Sequence, residues 1–393
     1  MKLQEFQSKM LLARYGIPVP RGDIALTADD ARRIAFELNT EGFAVKAQVP
    51  AGGRGRSKGV VLVSSPEEAG AAARAMLGRT LVTEQTGPVG YPVRQVLVEE
   101  AVTVDRSLYL AILIDTARAE MAVLAGPEGS EEIEDKLRSA ETTIERLHLA
   151  ASGKPDRADA EALALRLELE SRQIPAFVAL LEQLASAFVE NDATLIELNP
   201  LAITKSGAVI ALDAKIISDD NAMFRHPDLM ALRDEREDDG VEVAAQSRQL
   251  NYVRMDGNIG VVANGAGLGL ATLDMICAAN GRPANFMDIR TTANSLDIAY
   301  GCSLLLENPA VRAILVNVHG GGMQPCDTIA DGLGIATRRT GLKRPTIVRL
   351  AGNNAEYARF RLQNFGVKVI DCPDMWSAVT RAVATVQDMG ETR

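Results

Sequence analysis

The sequence is poor in histidine and cysteine, and each scarcity excludes a class of site. The 393 residues include three histidines, His148, His226 and His319, and no two have the H-x3-5-H or H-E-x-x-H spacing of a zinc site. The four cysteines lie from Cys277 to Cys372 and form no C-x-x-C pair. We therefore expect no zinc site made by this chain alone, and free thiols in a reducing compartment.

Long hydrophobic runs are also missing. No apolar run reaches the ~18 residues of a membrane span, and residues 1–5 lack the apolar core of a signal peptide. The 42 Lys and Arg against 52 Asp and Glu give a formal net charge of −10, which argues against a nucleic-acid-binding surface over the whole molecule. The sequence predicts a cytoplasmic protein that binds neither nucleic acid nor membrane. At roughly 100–200 residues per domain, the length predicts two or three domains.

The first region of the chain, residues 1–230, mixes helices with short strands. Its periodicity predicts one long helical stretch over about 158–190. After this stretch, alternating residues predict a β-hairpin with strands at 194–203 and 209–216. We expect this region to be the first domain.

The second region, residues 257–393, shows regular alternation of strands and helices. Strands are predicted near 258–263, 284–289, 312–318, 345–349 and 367–371. This alternation predicts a parallel sheet with helices on both faces. Between the two regions, residues 219–256 are polar and acidic with little periodicity, and 231–256 is predicted to be a linker.

A basic glycine-rich loop, GGRGRSKG at 52–59, joins two predicted strands. Its glycines would let backbone amides approach a polyphosphate, and Arg54, Arg56 and Lys58 would add positive charge. Lys46, on the preceding strand, would point toward the same phosphates. The alternative is a solvated basic turn.

The hairpin carries a second polar cluster. Glu197 and Asn199 are two residues apart, so both project from one strand face, and Asp213 on the return strand can face the same side. Carboxylate and carboxamide oxygens suit Mg²⁺ held together with phosphate oxygens and water. An exposed polar hairpin face is the alternative.

Two strand–glycine–helix turns occur in the second region. The first, Asn264 to Gly269, resembles a dinucleotide fingerprint but has Leu270 where the third glycine belongs. The second runs from Val316 to Met323 and contains His319, for which structural and catalytic roles both stay open. Two helix N-termini at one sheet edge predict an anionic ligand there. A nicotinamide-dependent oxidoreductase, with Asp288 on the ribose, is an alternative that leaves residues 1–256 without a role.

Taken in order, these motifs resemble the β subunit of succinyl-CoA synthetase and its relative malate–CoA ligase. The resemblance covers nearly the whole chain except a stretch near 130–175. It rests on the segments LQEFQSKMLLARYGIPVP, VKAQVPAGGRGRSKGV, LIELNPLAITKSG, ALDAKIISDDNAMFRHPDL, LNYVRMDGNIGVVANGAGL and VRAILVNVHGG. The implied fold class is α/β, with an N-terminal ATP-grasp domain followed by a flavodoxin-like parallel α/β ligase domain.

The resemblance also implies roles for particular residues. The implied nucleotide-binding positions are Lys46, Gly53, Arg54, Gly55, Glu99 and Val102. The implied Mg²⁺ ligands are Asn199 and Asp213, and Glu197 would steady a phosphorylated histidine. The implied carboxylate site consists of Asn264, Gly321, Gly322 and Met323. Pro20 favours ATP as the nucleotide.

The family pattern places the phosphorylated histidine and most of the CoA site on a separate α subunit. The implied reaction converts a carboxylic acid, CoA and ATP into acyl-CoA, ADP and phosphate through an acyl phosphate and a phosphohistidine. The acid would be succinate or a related dicarboxylic or substituted acid. A malate–CoA ligase, another acid–CoA ligase of altered specificity and a non-catalytic regulatory relative are the alternatives.

Four departures from the family pattern matter. Residues 288–293 read DIRTTA where a glycine run is usual, and residues 322–326 read GMQPC, one residue longer than usual. Ser107 and Val102 replace an acidic residue and a threonine near the nucleotide. We expect retained nucleotide chemistry and an acid preference different from succinate. Arg290 would pair with an extra carboxylate, sulfonate or hydroxyl of the acid, or else be a solvated loop residue.

Overall fold

The computed structural model describes residues 1–83, 85–86, 90–129, 143–150, 153–233 and 240–391. The chain folds into two compact units, Met1–Arg233 and Asp234–Arg393, each with two hydrophobic cores of its own. The four cysteines are free thiols, as predicted. Among the described helices, none is long and apolar enough to cross a membrane. The acidic run at 234–239, within the predicted linker, lies outside the described residues.

The first unit contains two larger antiparallel sheets and one strand pair. Its strands are β1 (Gly22–Ala25), β2 (Phe43–Ala47), β3 (Val60–Val63), β4 (Thr80–Leu81), β5 (Tyr91–Pro92), β6 (Val96–Glu100), β7 (Arg106–Asp115), β8 (Glu120–Gly126), β9 (Glu145–His148), β10 (Ala193–Ile203), β11 (Val209–Ala211) and β12 (Ala214–Ser218). The sheet orders are β1-β6-β2-β3 and β11-β10-β7-β8-β9 with β12 also on β10, while β4 pairs with β5.

The helices of this unit cover its sheets. They are α1 (Glu5–Arg14), α2 (Ala28–Leu38), α3 (Pro66–Met76), α4 (Arg157–Arg166), α5 (Ile174–Glu190) and α6 (Pro227–Met230), with a 3-10 helix at Asp220–Arg225. Helix α2 begins at Ala28, where Thr27 and Asp30 form a capping box. The apolar face of α5, including Phe177 and Leu181, packs in the same core as Ile112 of β7.

The prediction of a single long helix over 158–190 is wrong. The chain turns between α4 and α5, where Glu168 adopts a left-handed φ of +58°. This turn buries Leu167 and Leu169 in the core, so tertiary packing overrides the continuous helical periodicity. Pro175, in the first turn of α5, is the sequence signal for the second helix start.

The predicted return strand at 209–216 is divided into β11 and β12 at Leu212 and Asp213. Opposite this break, the register of β10 against β7 shifts between Leu198 and Leu201. Pro200 lies in the shifted segment, and proline has no N–H to donate to a ladder. The irregularity places Asn199 and Asp213 side by side, with the Asn199 N–H donating to the Asp213 carbonyl at 3.3 Å.

The second unit is a doubly wound α/β sheet. Its strands are β13 (Leu250–Arg254), β14 (Ile259–Ala263), β15 (Asn285–Ile289), β16 (Ala313–Gly320), β17 (Thr346–Gly352) and β18 (Val369–Asp371). Its helices are α7 (Gly240–Gln246), α8 (Ala266–Ala278), α9 (Ser295–Glu307), α10 (Cys326–Thr340), α11 (Ala355–Asn364) and α12 (Met375–Glu391). The strand order is β13-β15-β14-β16-β17-β18, and β14 to β18 are parallel, as predicted.

Side chains that alternate along the strands contribute to two separate cores, one on each face of this sheet. Val262 and Val316 join one core, while Val261 and Leu315 join the other. The antiparallel edge strand β13 lies inside the segment that the sequence assigned to a polar linker. That assignment missed it because two of its five residues, Val253 and Arg254, are exposed, so its apolar signal is weak.

Candidate functional site

An open cleft of about 730 Å³ lies in the first unit. The glycine-rich loop and the broken hairpin, which are more than 130 residues apart in the chain, both line it. Five of the predicted site residues line it, namely Gly53, Arg54, Glu197, Asn199 and Asp213. Arg56 also lines the cleft. The structure therefore brings together the predicted phosphate-binding and metal-binding positions.

A buried carboxylate organises the cations beside this cleft. Glu5, in the first turn of α1, has a side chain only 2% exposed, and it ion-pairs with Lys46 at 2.9 Å and with Arg54 at 2.7 Å. Lys9, one helical turn further along α1, contacts the same carboxylate at 2.8 Å. Three cations thus converge on one carboxylate that the sequence analysis did not single out.

Two further carboxylates balance this charge. Glu99, on β6, is as buried as Glu5 and pairs with Lys46 at 2.6 Å and with Lys9 at 2.7 Å. Asp213 pairs with the Arg54 guanidinium at 2.7 Å and is more exposed, at 36%. The cluster therefore has three cations and three carboxylates, with the Asp213 end open toward the cleft.

Three members of the cluster, Glu5, Lys46 and Arg54, have shifted pKa values that favour their charged forms. Burial alone would raise the pKa of Glu5, but Arg54, Lys46 and Lys9 lower it well below its usual value. Burial opposes the charged form of Lys46, yet Glu5, Glu99 and Asp213 raise its pKa. The pKa of Arg54 is likewise raised, because Glu5 and Asp213 outweigh its desolvation. The raised pKa values favour the cationic forms of Lys46 and Arg54 at neutral pH.

The loop itself is a tight turn closed by backbone hydrogen bonds. Gly53 has a φ of +72°, a conformation that side chains rarely adopt. Gly55 sits in the following turn, where its carbonyl accepts from the Lys58 N–H at 3.0 Å. The Arg54 carbonyl accepts from the Gly59 N–H at 2.7 Å and closes the loop. The positive φ at Gly53 explains why that position requires glycine.

Val102 and Ser107, like Lys46, Gly55 and Glu99, are not among the residues that line the cleft. Val102 follows β6 and is half-buried. Ser107 lies on β7 opposite Ala202 of β10. Neither contacts the charged cluster in the described part of the chain. Their roles stay predictions.

The hairpin residues offer oxygen ligands to a cation. Glu197 and Asn199 are both half-buried and both line the cleft, so they share a face. Lys215 approaches the Glu197 carboxylate at 3.7 Å. No group of three or more His, Cys, Asp and Glu side chains able to hold a metal occurs in the described ranges. The oxygens of Asn199 and Asp213 fit Mg²⁺, which usually takes one or two protein ligands plus phosphate oxygens and water.

Glu5 and Lys9 are the residues that sequence reasoning missed. Their spacing, i and i+4 on a helix, is a detectable ion-pair pattern. The pattern alone predicts an exposed pair, because charged residues are rarely buried. Their role depends on Glu99, 90 residues away from Lys9.

In the second unit, the glycine turns meet at the carboxyl end of the sheet. The parallel strands run in the order 2-1-3-4-5, so the direction in which successive strands are added to the sheet reverses between β14 and β16, where such folds bind ligands. The Asn264 side chain joins the two turns there, donating to the His319 carbonyl at 2.8 Å and accepting from the His319 N–H at 2.9 Å. Asn264 therefore fixes the spacing of the two turns.

The neighbouring loop after β15 belongs to the same edge. Asp288 accepts from the Gly265 N–H at 2.7 Å and from the Asn251 side chain at 3.1 Å. The oxidoreductase alternative needed this carboxylate for a ribose, but the carboxylate holds the protein's own turn. Across the edge, the buried Gln324 side chain donates to the Ala293 carbonyl at 3.4 Å.

Gly321, Gly322 and Met323 form the exposed tip of the second turn. Met323 is 73% exposed. A side chain built at Gly321 or Gly322 would meet no described atom within 4 Å. Space is therefore open beside this tip. The imidazole of His319 is exposed beside it.

Comparisons with known proteins find a family match in each of the two units. The chain matches the ATP-grasp domain family over residues 2–203 and the CoA-ligase family over residues 262–383. These matches confirm the predicted fold class. The ATP citrate lyase of Methanothrix soehngenii, solved with citrate and coenzyme A, superimposes with a TM-score of 0.68 over 98% of this chain and 99% of that chain, at 16% identity. At this identity the likeness concerns the fold alone.

Curated relatives of much higher identity carry one name, succinate–CoA ligase [ADP-forming] subunit beta. The protein from Chlorobium luteolum is 43% identical over 374 residues, which are 94% of this chain and 95% of that protein. The protein from Acidiphilium cryptum is 41% identical over 397 residues, 99% of this chain and 100% of its own length. The protein from Myxococcus xanthus is 40% identical over 387 residues, 98% of this chain and 100% of its own length.

Proposed function

The chain belongs to the family of β subunits of ADP-forming succinate–CoA ligases, and we propose that its cleft in the first unit performs the nucleotide half of the ligase reaction. ATP and ADP are the nucleotides of this ADP-forming, ATP-grasp enzyme class. The observation that carries the proposal is the meeting of the glycine-rich loop, the charged cluster and the Asn199–Asp213 pair around one cleft.

The cations are the proposed phosphate-binding groups. Lys46 and Arg54 are buried and fixed, so they lose little entropy when they meet phosphate oxygens. The amides of Gly53 and Gly55 would add hydrogen bonds to the same oxygens. Glu99 is engaged with Lys46 at 2.6 Å, and we assign it the role of holding that lysine in place. Val102 is proposed to contact the base.

Asn199 and Asp213 are the proposed ligands of Mg²⁺. When bound, Mg²⁺ supplies charge neutralisation of the polyphosphate. Because Asp213 pairs with Arg54 at 2.7 Å, binding of phosphates to Arg54 would release the Asp213 carboxylate for the cation. Glu197 lies on the same strand face and is proposed to orient the histidine that receives the phosphoryl group.

The reaction needs an α subunit, which we propose carries that histidine and most of the CoA site. The acid, CoA and ATP would give acyl-CoA, ADP and phosphate. Asn264 and the tip Gly321, Gly322 and Met323 are proposed to form the carboxylate site with the α subunit. Open space beside this tip supports the assignment.

The test is ATP-dependent phosphorylation of a co-purified α subunit. We expect transfer of the γ-phosphoryl group from ATP only when Mg²⁺ is present, and a loss of at least 100-fold in Asp213→Asn, on the order of the effect of removing one electrostatic group from a preorganised site. Asp228→Asn, which removes an exposed partner of Arg14, is the matched control and should leave the rate unchanged. Equal rates for wild type and Asp213→Asn would refute the proposed metal site, and absence of transfer by wild type would refute the proposed function.

A further inference from the structure

Three loops at the carboxyl end of the second sheet form one connected rim, made of residues 264–267, 288–293 and 319–325. Asn264 ties the first loop to the third through His319. Asp288 ties the second loop to the first through Gly265. Gln324, 4% exposed, ties the third loop to the second at 3.4 Å. Each link joins a side chain to the backbone of another loop, so the rim is held in one arrangement.

Arg290 is the one cationic side chain among the three loops of this rim, and its guanidinium is held in place. Its Nε and Nη2 donate to the Asn251 side-chain oxygen at 3.1 and 2.8 Å. Asn251 in turn donates to Asp288 at 3.1 Å. Within the described ranges, no carboxylate forms an ion pair with Arg290, and the residue is exposed. The rest of the guanidinium is available to an anionic ligand.

The glycines of the rim leave room for that ligand. Side chains built at Gly265, Gly267, Gly321 or Gly322 would meet no described atom within 4 Å. Of these four, Gly265 alone requires glycine for its backbone, since its φ is +103°. Packing therefore does not explain the other three. Free space, backbone amides at the start of α8 and a fixed guanidinium together suit a small anion.

We propose that Arg290 determines specificity in the acid site and binds a second anionic group of the acid, a carboxylate or a sulfonate, at the end opposite the carboxylate that is activated. This inference rests on the proposed ligase function. A guanidinium binds either oxyanion through two parallel N–H bonds, so the shared chemistry is a planar or tetrahedral oxyanion. A solvated arginine would make no distinction between acids.

The test compares three acids with the reconstituted enzyme of α and β subunits. Succinate and 3-sulfopropionate carry a second anionic group, and butyrate carries a methyl group in its place. Acid-dependent release of ADP gives kcat and KM for each acid. We expect wild type to prefer a dianionic acid to butyrate, and the order of succinate and 3-sulfopropionate identifies the group bound.

The variant Arg290→Gln keeps a hydrogen-bonding side chain but removes the charge. We expect it to raise KM for the preferred dianionic acid about tenfold or more, as for the loss of a charged hydrogen bond, with kcat and the butyrate parameters little changed. Arg290→Lys should recover part of the loss. Arg381→Gln, on the exposed side of α12, is the control and should behave as wild type.

Phosphorylation of the α subunit by ATP is measured in the same preparations. If Arg290→Gln changes KM equally for all three acids, or does not change it, while phosphorylation is intact, the inference is overturned and the proposed function stands. No phosphorylation by wild type would overturn both. Fluorescence of Trp376, which lies in the same unit as Arg290, checks that the variants are folded.

Discussion

Glu5 holds three buried cations beside the cleft. A buried lysine or arginine without a counter-charge would pay a large desolvation penalty, and the carboxylate of Glu5 offsets it. Glu99 and Asp213 complete the balance, but only Asp213 is exposed enough to exchange its partner for a ligand. The network is therefore a preorganised set of charges in which Asp213 is the member accessible to a ligand.

At the residue scale, we predict that Glu5→Gln destabilises the first unit by about 3–5 kcal/mol at neutral pH, because three buried cations lose their shared counter-charge. The difference in unfolding free energy between wild type and Glu5→Gln should decrease in acid. The folded-state pKa of Glu5 lies well below the ordinary 4.5, so its stabilisation is complete above pH 4.5 and is lost as the pH falls toward the folded-state value. Urea unfolding followed by circular dichroism between pH 7 and pH 3 measures this.

Glu37→Gln is the control for this prediction, since Glu37 forms an exposed pair with Arg33. It should change the unfolding free energy little at any pH. A constant difference between wild type and Glu5→Gln across the pH range would contradict the assignment of a lowered pKa to Glu5.

At the element scale, the close approach of α9 and α10 depends on a glycine. A side chain at Gly332 of α10 would lie 2.4 Å from Ile298 Cγ2 and 3.2 Å from the Ala299 nitrogen. Alanine is ordinarily better than glycine inside a helix by about 1 kcal/mol. Here the backbone of α9 cannot move aside easily, so packing and intrinsic helix preference act in opposite directions.

We predict that Gly332→Ala destabilises the second unit by about 1–3 kcal/mol through overpacking. Gly267→Ala is the matched comparison, because that glycine lies in the first turn of α8 with no described atom within 4 Å of an added Cβ. It should be neutral or slightly stabilising. Chemical unfolding measures the unfolding free energy of both variants. A Gly332→Ala variant more stable than wild type would show that α9 and α10 can separate without an energetic cost.

At the scale of the whole molecule, each unit encloses its own hydrophobic cores, and the single tryptophan reports on the second unit. Trp376 lies in the second unit and is about half exposed. We predict that Glu5→Gln, in the first unit, lowers the urea midpoint seen by circular dichroism and leaves the tryptophan transition where it was. Coincident shifts of both signals would mean that the two units unfold as one cooperative structure.

Much of this protein was determined by its sequence alone. Three features are local patterns that can be recognised from residues close together in the sequence. They are the glycine-rich loop, the Glu197–Asn199 spacing and the alternation of strands and helices after residue 257. The parallel sheet was predicted correctly for this reason, and the free cysteines were predicted correctly from their spacing. The single helix over 158–190 was predicted wrongly, because the burial of Leu167 and Leu169 depends on the rest of the core.

Tertiary structure alone decided how these pieces are combined. Glu5 becomes the centre of a charge cluster only when α1 lies against β2 and β6, and nothing local marks it for burial. Asn199 and Asp213 meet where the return strand of the hairpin is broken between β11 and β12. Arg290 is fixed by Asn251, on an edge strand that the sequence did not reveal. The sequence determined which chemical groups are present, whereas long-range packing determined their neighbours, since burial and charge pairing depend on residues far apart in the chain.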